Sequence, residues 1–326
     1  KLIIYLIGTT FLTHHICIWM DTMDKRDKRK KRVFQLGILL LLGTILCLKY
    51  RNFFFGNVSK LAMVLHIDWS YQDQLIFLPI GISFYTLSAI GYMADVYWGK
   101  VKAEYSLVKT ALFLGFFPVI VEGPICRWED VEDTLFKNES VKAENVFKGC
   151  YRIIWGLFKK MIIADRLAVL VDKVYVGYES YSGAVIVVAA ISYTIQLYME
   201  FSGCMDMVIG SAGLFGIRLP ENFSQPFFAK TCTDFWKRWH ITLGVWFKNY
   251  IFYPVSISKT ARKWNKFTRK HFKGDFGKYV ARMGIAAMAL FPVWISNGLW
   301  HGPKWNYIFY GLYYFGLIFM GLALEP

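Results

Sequence analysis

Residues 21–50 read DTMDKRDKRKKRVFQLGILLLLGTILCLKY. A short loop dense in Lys and Arg, Asp21 to Arg32, runs into an apolar stretch from Val33 to Tyr50. An apolar run of this length suits the ~30 Å hydrocarbon core of a bilayer, and a basic loop beside it is retained on the cytoplasmic side. Working outward, a first run at 2–20 precedes the loop, and others lie near 75–97, 107–121, 146–171, 183–217, 241–255, 280–300 and 305–323. The 183–217 run is long enough to predict two pieces. The pattern predicts an all-α, polytopic membrane protein, a multi-helix bundle.

Composition agrees. Of 326 residues, 56% are hydrophobic, and mean hydropathy is +0.35. That excludes disorder and argues against a soluble enzyme. The net charge of +15 would suggest nucleic acid in a soluble chain, but the cations cluster between spans and report topology, so no nucleic-acid partner is expected. A second basic run, Lys259, Arg262, Lys263, Lys266, Arg269, Lys270 and Lys273, is expected on the cytoplasmic side with the first. Trp264, Phe267, His271 and Phe272 interleave with it, as in an interfacial helix whose charges snorkel outward. Orientation and attraction to anionic lipid explain such a run as readily as docking of an acidic carrier or cofactor phosphates. The 122–145 loop is acid-rich (Glu122, Glu129, Asp130, Glu132, Asp133, Glu139, Glu144) and is expected outside. The six cysteines form no CxxC or zinc-like cluster, and no metal site is expected. The chain begins at Lys1 and stops at Leu324-Glu325-Pro326, which reads as one transmembrane unit, 1–326, truncated at both ends.

The apolar runs are interrupted at Leu78-Pro79-Ile80-Gly81, Glu122-Gly123-Pro124, Phe201-Ser202-Gly203 and His301-Gly302-Pro303. Each proline removes a backbone donor, and the groups it frees cannot face lipid. Broken and re-entrant helices around an internal polar chamber are therefore expected.

Two histidines have informative surroundings. In Thr233-Asp234-Phe235-Trp236-Lys237-Arg238-Trp239-His240, helical spacing would place Trp236 and His240 on one face and pair Asp234 with Arg238. A headgroup-level aromatic belt is the plain alternative to a histidine facing the chamber. In Ser296-Asn297-Gly298-Leu299-Trp300-His301-Gly302-Pro303, Asn297 stands four residues before His301, where its amide could fix the imidazole. An imidazole at a broken helix end suits removal of a hydroxyl proton near neutral pH; a satisfied interfacial histidine fits the spacing equally. His14, His15, His66 and His271 lack such settings, and no GxSxG, HExxH or Walker loop occurs.

Phe235-Trp236-Lys237-Arg238-Trp239-His240-Ile241-Thr242-Leu243, followed by Leu299-Trp300-His301-Gly302, resembles the two histidine motifs of the membrane-bound O-acyltransferases, in the bacterial branch that contains alginate O-acetyltransferase and teichoic-acid D-alanyltransferase. Matches at Gly81-Ile82-Ser83-Phe84-Tyr85-Thr86, Phe116-Phe117-Pro118, Glu122-Gly123-Pro124-Ile125, Phe201-Ser202-Gly203-Cys204-Met205-Asp206-Met207 and Pro220-Glu221-Asn222-Phe223-Ser224-Gln225-Pro226 extend it over roughly 75–315. Glu200 stands where the family commonly has Asp, and Cys204-Met205 where Tyr-Ser is usual.

The resemblance implies helices around a central tunnel joining a cytoplasmic acyl donor to an acceptor on the other side. It implies His301 as general base with His240 as the second catalytic histidine, and Trp236, Asn297, Trp300 and Asp206 as positioning or tunnel residues. Arg262, Lys263, Lys266, Arg269 and Lys270 then form a donor-side patch. The donor expected is acetyl-CoA or an acylated carrier protein, as substrate rather than tightly bound cofactor. The acceptor is a hydroxyl of an exported polysaccharide or an esterase-like extracytoplasmic partner, in a bacterial plasma membrane. D-alanyl transfer to teichoic acid, an acyl-enzyme on Ser296 or a cysteine, and a proton-coupled transporter or flippase are the competing readings.

Overall fold

Ser106, Asp27 and Thr231 open helices by accepting backbone N–H groups, and of these only the helix after Asp27 continues as a long apolar run. The computed structural model describes residues 3–24, 26–137 and 141–324. Lys25 and Glu139, each part of a charged loop considered above, and the end residues Lys1, Leu2, Glu325 and Pro326 lie outside the described residues.

α1 (Ile3–Asp21) packs its buried face, including Thr13, Cys17 and Met20, against α4, which is Ile82–Trp98. Between them α2 (Lys28–Ile45) passes through a π-helical turn (Leu46–Tyr50) into α3 (Arg51–Val64). The run expected at 75–97 becomes helical only at Ile82, because Gly81, just after Pro79, adopts φ +73° and residues 67–79 are irregular. α5 (Leu107–Gly115), α6 (Phe117–Ile120) and α7 (Trp128–Leu135) follow. α8 (Ala143–Leu157) continues through a second π-helical turn (Phe158–Ala164) into α9 (Asp165–Val176). α10 spans Gly183–Leu214, α11 Cys232–Arg238 and α12 Ile241–Phe247; a third π-helical turn (Lys248–Phe252) then leads to α13 (Tyr253–Ser256). α14 (Lys259–His271), α15 (Gly274–His301) and α16 (Trp305–Leu324) complete the chain. Among the described residues five helical stretches are long and apolar enough to cross a membrane: Ile3–Asp21, Lys28–Val64, Gly183–Leu214, Gly274–His301 and Trp305–Leu324. The expected all-α, polytopic architecture is present.

Two expectations are corrected. The 183–217 run is not two pieces: α10 is one 32-residue helix that passes through Phe201-Ser202-Gly203 unbroken. The small residues there serve packing. A Cβ on Gly203 would meet the Gly156 carbonyl oxygen at 2.8 Å, and one on Gly210 would meet that of Gly149 at 2.8 Å, so α8 and α10 touch backbone to backbone.

The acidic α7 lies at the same end of the molecule as the basic loops, contrary to expectation. Tyr105 Oη donates to Asp21 at 3.4 Å, which puts the start of α5 at the end of the molecule that carries the first basic loop. The chain then runs inward to Ile120, whose carbonyl abuts Gly81, about 25 Å along α4 from Trp98 at 1.5 Å per residue. Residues 121–127 bring it back. Trp128 stacks on Tyr92 at 4.7 Å, and Lys109 lies 5.5 Å over the Phe136 ring. Residues 107–127 are thus a re-entrant excursion, and the acidic α7 returns to the end from which α5 left. Trp98 stacks on Tyr250 at 5.9 Å just before α13 and α14, so the second basic run shares that end. The acidic α7, expected on the opposite side, stands beside the basic segments, because the 107–121 run does not cross.

Candidate active site

α11 ends at Arg238, two residues short of the His240 that helical periodicity included, and Trp239 and His240 leave it. His240 takes a left-handed backbone, φ 48°, and its carbonyl accepts the Gly244 N–H that opens α12. Such a conformation is uncommon for a side chain other than Gly, Asn or Asp and needs support. The segment at Asn222 supplies it: the Asn222 carbonyl accepts the Ile241 N–H at 3.0 Å and Ser224 N–H reaches the Arg238 carbonyl at 2.9 Å. Asp234 and Arg238 pair at 3.0 Å as the spacing predicted, but Trp236 and His240 do not share a helix.

The Asn222 side chain then decides the state of His240. Its Oδ1 accepts from the Thr242 N–H (3.1 Å) and the Thr242 hydroxyl (2.9 Å), and lies 3.2 Å from His240 Nδ1. A backbone N–H can only donate, so the Asn222 atom there is the oxygen, and a neutral imidazole beside it must carry its proton on Nδ1. Nε2 is left with a lone pair. It is buried and has no partner among the described residues. Thr242 Oγ1 also accepts the Ile125 N–H at 3.0 Å, so the returning arm of the re-entrant excursion braces the same network.

His301 arrives from the other direction, as the last residue of α15. Gly302 is extended and Pro303 has no N–H, so the helix stops there. α16 packs closely enough that a Cβ on Gly298 or Gly311 would collide with the Tyr307 or Trp294 carbonyl. That contact brings Tyr307 and Tyr310 beside the imidazole, at ring-centroid distances of 6.3 and 5.8 Å. Trp300 stands between the histidines, 5.6 Å from the His240 ring and 5.0 Å from the His301 ring. Both imidazoles line a cavity of about 450 Å³ with Trp236, Trp294 and Asn297 and with apolar side chains of α12, α15 and α16. Phe84 lies 5.5 Å from Trp300, and Phe201 4.9 Å from His240. By helical rise both are about 20 Å from the basic end of their helices, which puts the histidines well away from that end.

The sequence that builds this histidine cavity has relatives among known proteins. The sequence profile of the MBOAT, membrane-bound O-acyltransferase, family matches residues 101–271. The chain is 32% identical to the probable alginate O-acetylase AlgI of Pseudomonas putida, over 98% of its own length and 60% of the relative's. The chain belongs to the membrane-bound O-acyltransferase family. It is also similar to a peptidoglycan O-acetyltransferase of Helicobacter pylori, 30% identical over 85% of this chain and 53% of the relative. A teichoic acid D-alanyltransferase of Bacillus subtilis is 29% identical over 72% of this chain and 56% of the relative. The chain thus spans 53–60% of the length of these three relatives.

Within this membrane-bound O-acyltransferase chain, the structure gathers His240, His301, Trp236 and Asn297 around one cavity, and Trp300 packs against both imidazoles without lining it. Asn297 is buried, but its Oδ1 has no partner among the described residues, so it does not hold the His301 ring by that atom as the spacing suggested. Trp300 Nε1 is likewise buried without an acceptor. Asp206 is elsewhere: it accepts from Arg152 Nε at 3.1 Å and Lys159 Nζ at 2.5 Å, ties α8 to α10, and faces a separate groove with Tyr151 and Trp155. A carboxylate satisfied by two cations is a structural link. Arg262, Lys263, Lys266, Arg269 and Lys270 are all exposed on α14, whose Ala261 and Thr268 are buried, and whose Trp264 donates to the Val280 carbonyl at 3.3 Å. They lie at the basic end of the molecule and outside the histidine cavity.

Sequence reasoning missed Asn222 and Thr242 as the support of His240. It also missed Lys49 and Tyr50, which reach the end of α15: Lys49 Nζ donates to the Trp300 carbonyl at 2.6 Å and Tyr50 Oη to the Leu299 carbonyl. Asn222 lay in a quoted motif, yet nothing in linear spacing pairs it with a histidine eighteen residues on.

Proposed function

We propose that this membrane-bound O-acyltransferase moves an acyl group, acetyl in preference to D-alanyl, from a thioester donor to a hydroxyl of a cell-surface polysaccharide or of an extracytoplasmic carrier partner. The observation that carries the reading is the cavity that His240 and His301 both line, with Trp300 packed against both rings. The names of the relatives, O-acetylating in two of three cases, support acetyl.

The donor, acetyl-CoA or an acylated carrier protein, approaches the basic end, where the exposed cations of α14 suit its phosphates or acidic surface. His301 serves as general base. As the acceptor oxygen bonds to the thioester carbonyl carbon, the imidazole takes the hydroxyl proton; as the C–S bond breaks, it returns that proton to the departing sulfur, and a free thiol leaves. His240, held with Nδ1 protonated, offers the cavity only a lone pair, so it orients a donor group such as the acceptor hydroxyl. Stabilising the carbonyl oxygen as it gains charge falls instead to Trp236 Nε1–H, a donor on a cavity-lining ring with no acceptor among the described residues.

The test is thioester consumption by the purified full-length protein in detergent, where transport cannot occur, comparing acetyl-CoA with acylated carrier. His301→Ala should lower thiol release by about 10²- to 10⁴-fold while thermal unfolding stays near wild type. Wild-type turnover in a folded His301→Ala protein would remove the general-base assignment. Absence of release with either donor, with acceptor extract present, would favour transport.

A further inference from the structure

We propose that Lys49 and Tyr50 are positioning residues for His301, holding the end of α15 so that the imidazole stays in the cavity. The proposal rests on the reading of His301 as general base. The two side chains come from the π-helical turn Leu46–Tyr50, which interrupts an otherwise continuous helix from Lys28 to Val64. Such turns are rare and, inside α-helices, are frequent at functional sites. Lys49 Nζ donates to the Trp300 carbonyl at 2.6 Å and lies 3.5 Å from Ser83 Oγ, while Tyr50 Oη donates to the Leu299 carbonyl.

Carbonyls in the last turn of a helix have no partner within the helix, and α15 cannot supply one by continuing, because Gly302 and Pro303 end it. The Gly298 carbonyl reaches the Gly302 N–H at 3.4 Å, and the next two are taken by Tyr50 and Lys49. These carbonyls immediately precede His301. A lysine inside an apolar span is costly, and among the described residues no carboxylate lies within ion-pairing distance of Lys49. Its charge is met by the negative end of the α15 dipole and by the carbonyl itself. A neutral residue would fill the same space without that cost; what the cation supplies is the hydrogen bond to the Trp300 carbonyl.

The experiment measures histidine-dependent thiol release and, separately, the rate at which diethyl pyrocarbonate carbethoxylates His301, read by mass spectrometry. Lys49→Met should lower kcat by about 10- to 100-fold with the donor KM changed by less than about twofold, as expected for an imidazole displaced by an ångström. The His301 carbethoxylation rate should shift as well. Lys49→Arg, which keeps the charge and the donors, should recover most of kcat, and Tyr50→Phe should give a smaller loss. Placed on a His301→Ala background, Lys49→Met should change residual turnover by no more than about twofold. A folded Lys49→Met protein with unchanged kcat and unchanged carbethoxylation overturns the proposal, as does a loss that persists in full without His301. If Lys49→Met fails to fold, Tyr50→Phe, which deletes a single oxygen, decides by the same two readouts. Full turnover in His301→Ala would count against the general base alone, because the carbethoxylation rate still reports whether Lys49 and Tyr50 set the imidazole's surroundings.

Discussion

At the scale of single residues, the chemistry of His240 is set by Asn222. Replacing Asn222 with Leu strands the Thr242 N–H and His240 Nδ1–H in a buried site, at about 1–3 kcal/mol for each donor left without an acceptor. Asn222→Leu should therefore unfold at lower temperature in detergent and lose turnover, and Thr242→Val should do so more mildly; wild-type turnover in folded Asn222→Leu would show that the tautomer is not fixed there. The two histidines themselves were legible, because each sits in a distinctive local string. Their supports were not. Helical spacing put Trp236 and His240 on one face, but the left-handed backbone at His240 ended that periodicity, and the partners Asn222 and Lys49 come from distant parts of the chain. A side chain aimed across the fold leaves no trace in the spacing of its neighbours.

At the scale of elements, small residues set how closely helices approach. Gly149 and Gly156 of α8 face Gly210 and Gly203 of α10, each pair seven residues apart, and Arg152 and Lys159 hold Asp206 along the same seam. Gly203→Leu must push the helices apart and should destabilise by about 1–3 kcal/mol or more, read as a lowered Tm. An unchanged Tm would mean that the seam is not tightly packed. Apolar runs made most helices visible in the sequence, and Pro79, Gly81 and Pro303 marked real ends. The Ser202-Gly203 pair was misleading, because glycine in a membrane helix serves close packing as readily as a break. The π-helical turns at 46–50, 158–164 and 248–252 shift the helical face by one residue, and no hydropathy pattern distinguishes them from α-helix.

At the scale of the whole molecule, both basic segments and the acidic α7 share one end. Single cysteines introduced at Lys266 and Glu132, in an otherwise cysteine-free chain, should both resist a membrane-impermeant maleimide in intact cells and both react after permeabilisation. Labelling of Glu132→Cys alone in intact cells would restore the crossing topology that hydropathy suggested. The acidic composition of 122–145 pointed outward only on the premise that 107–121 spans; charge orients a loop, but it cannot tell a crossing from a return. The re-entrant arm also bears on how the protein is made. The Ile125 N–H finds its acceptor in Thr242, 117 residues later in the chain. At about 5–20 residues per second, the ribosome exposes that acceptor roughly 6–23 s after it has finished the arm. Until then this N–H has no such acceptor, and leaving the nascent arm in lipid costs several kcal/mol, which favours holding it in a wet or protein-lined place until Thr242 is made.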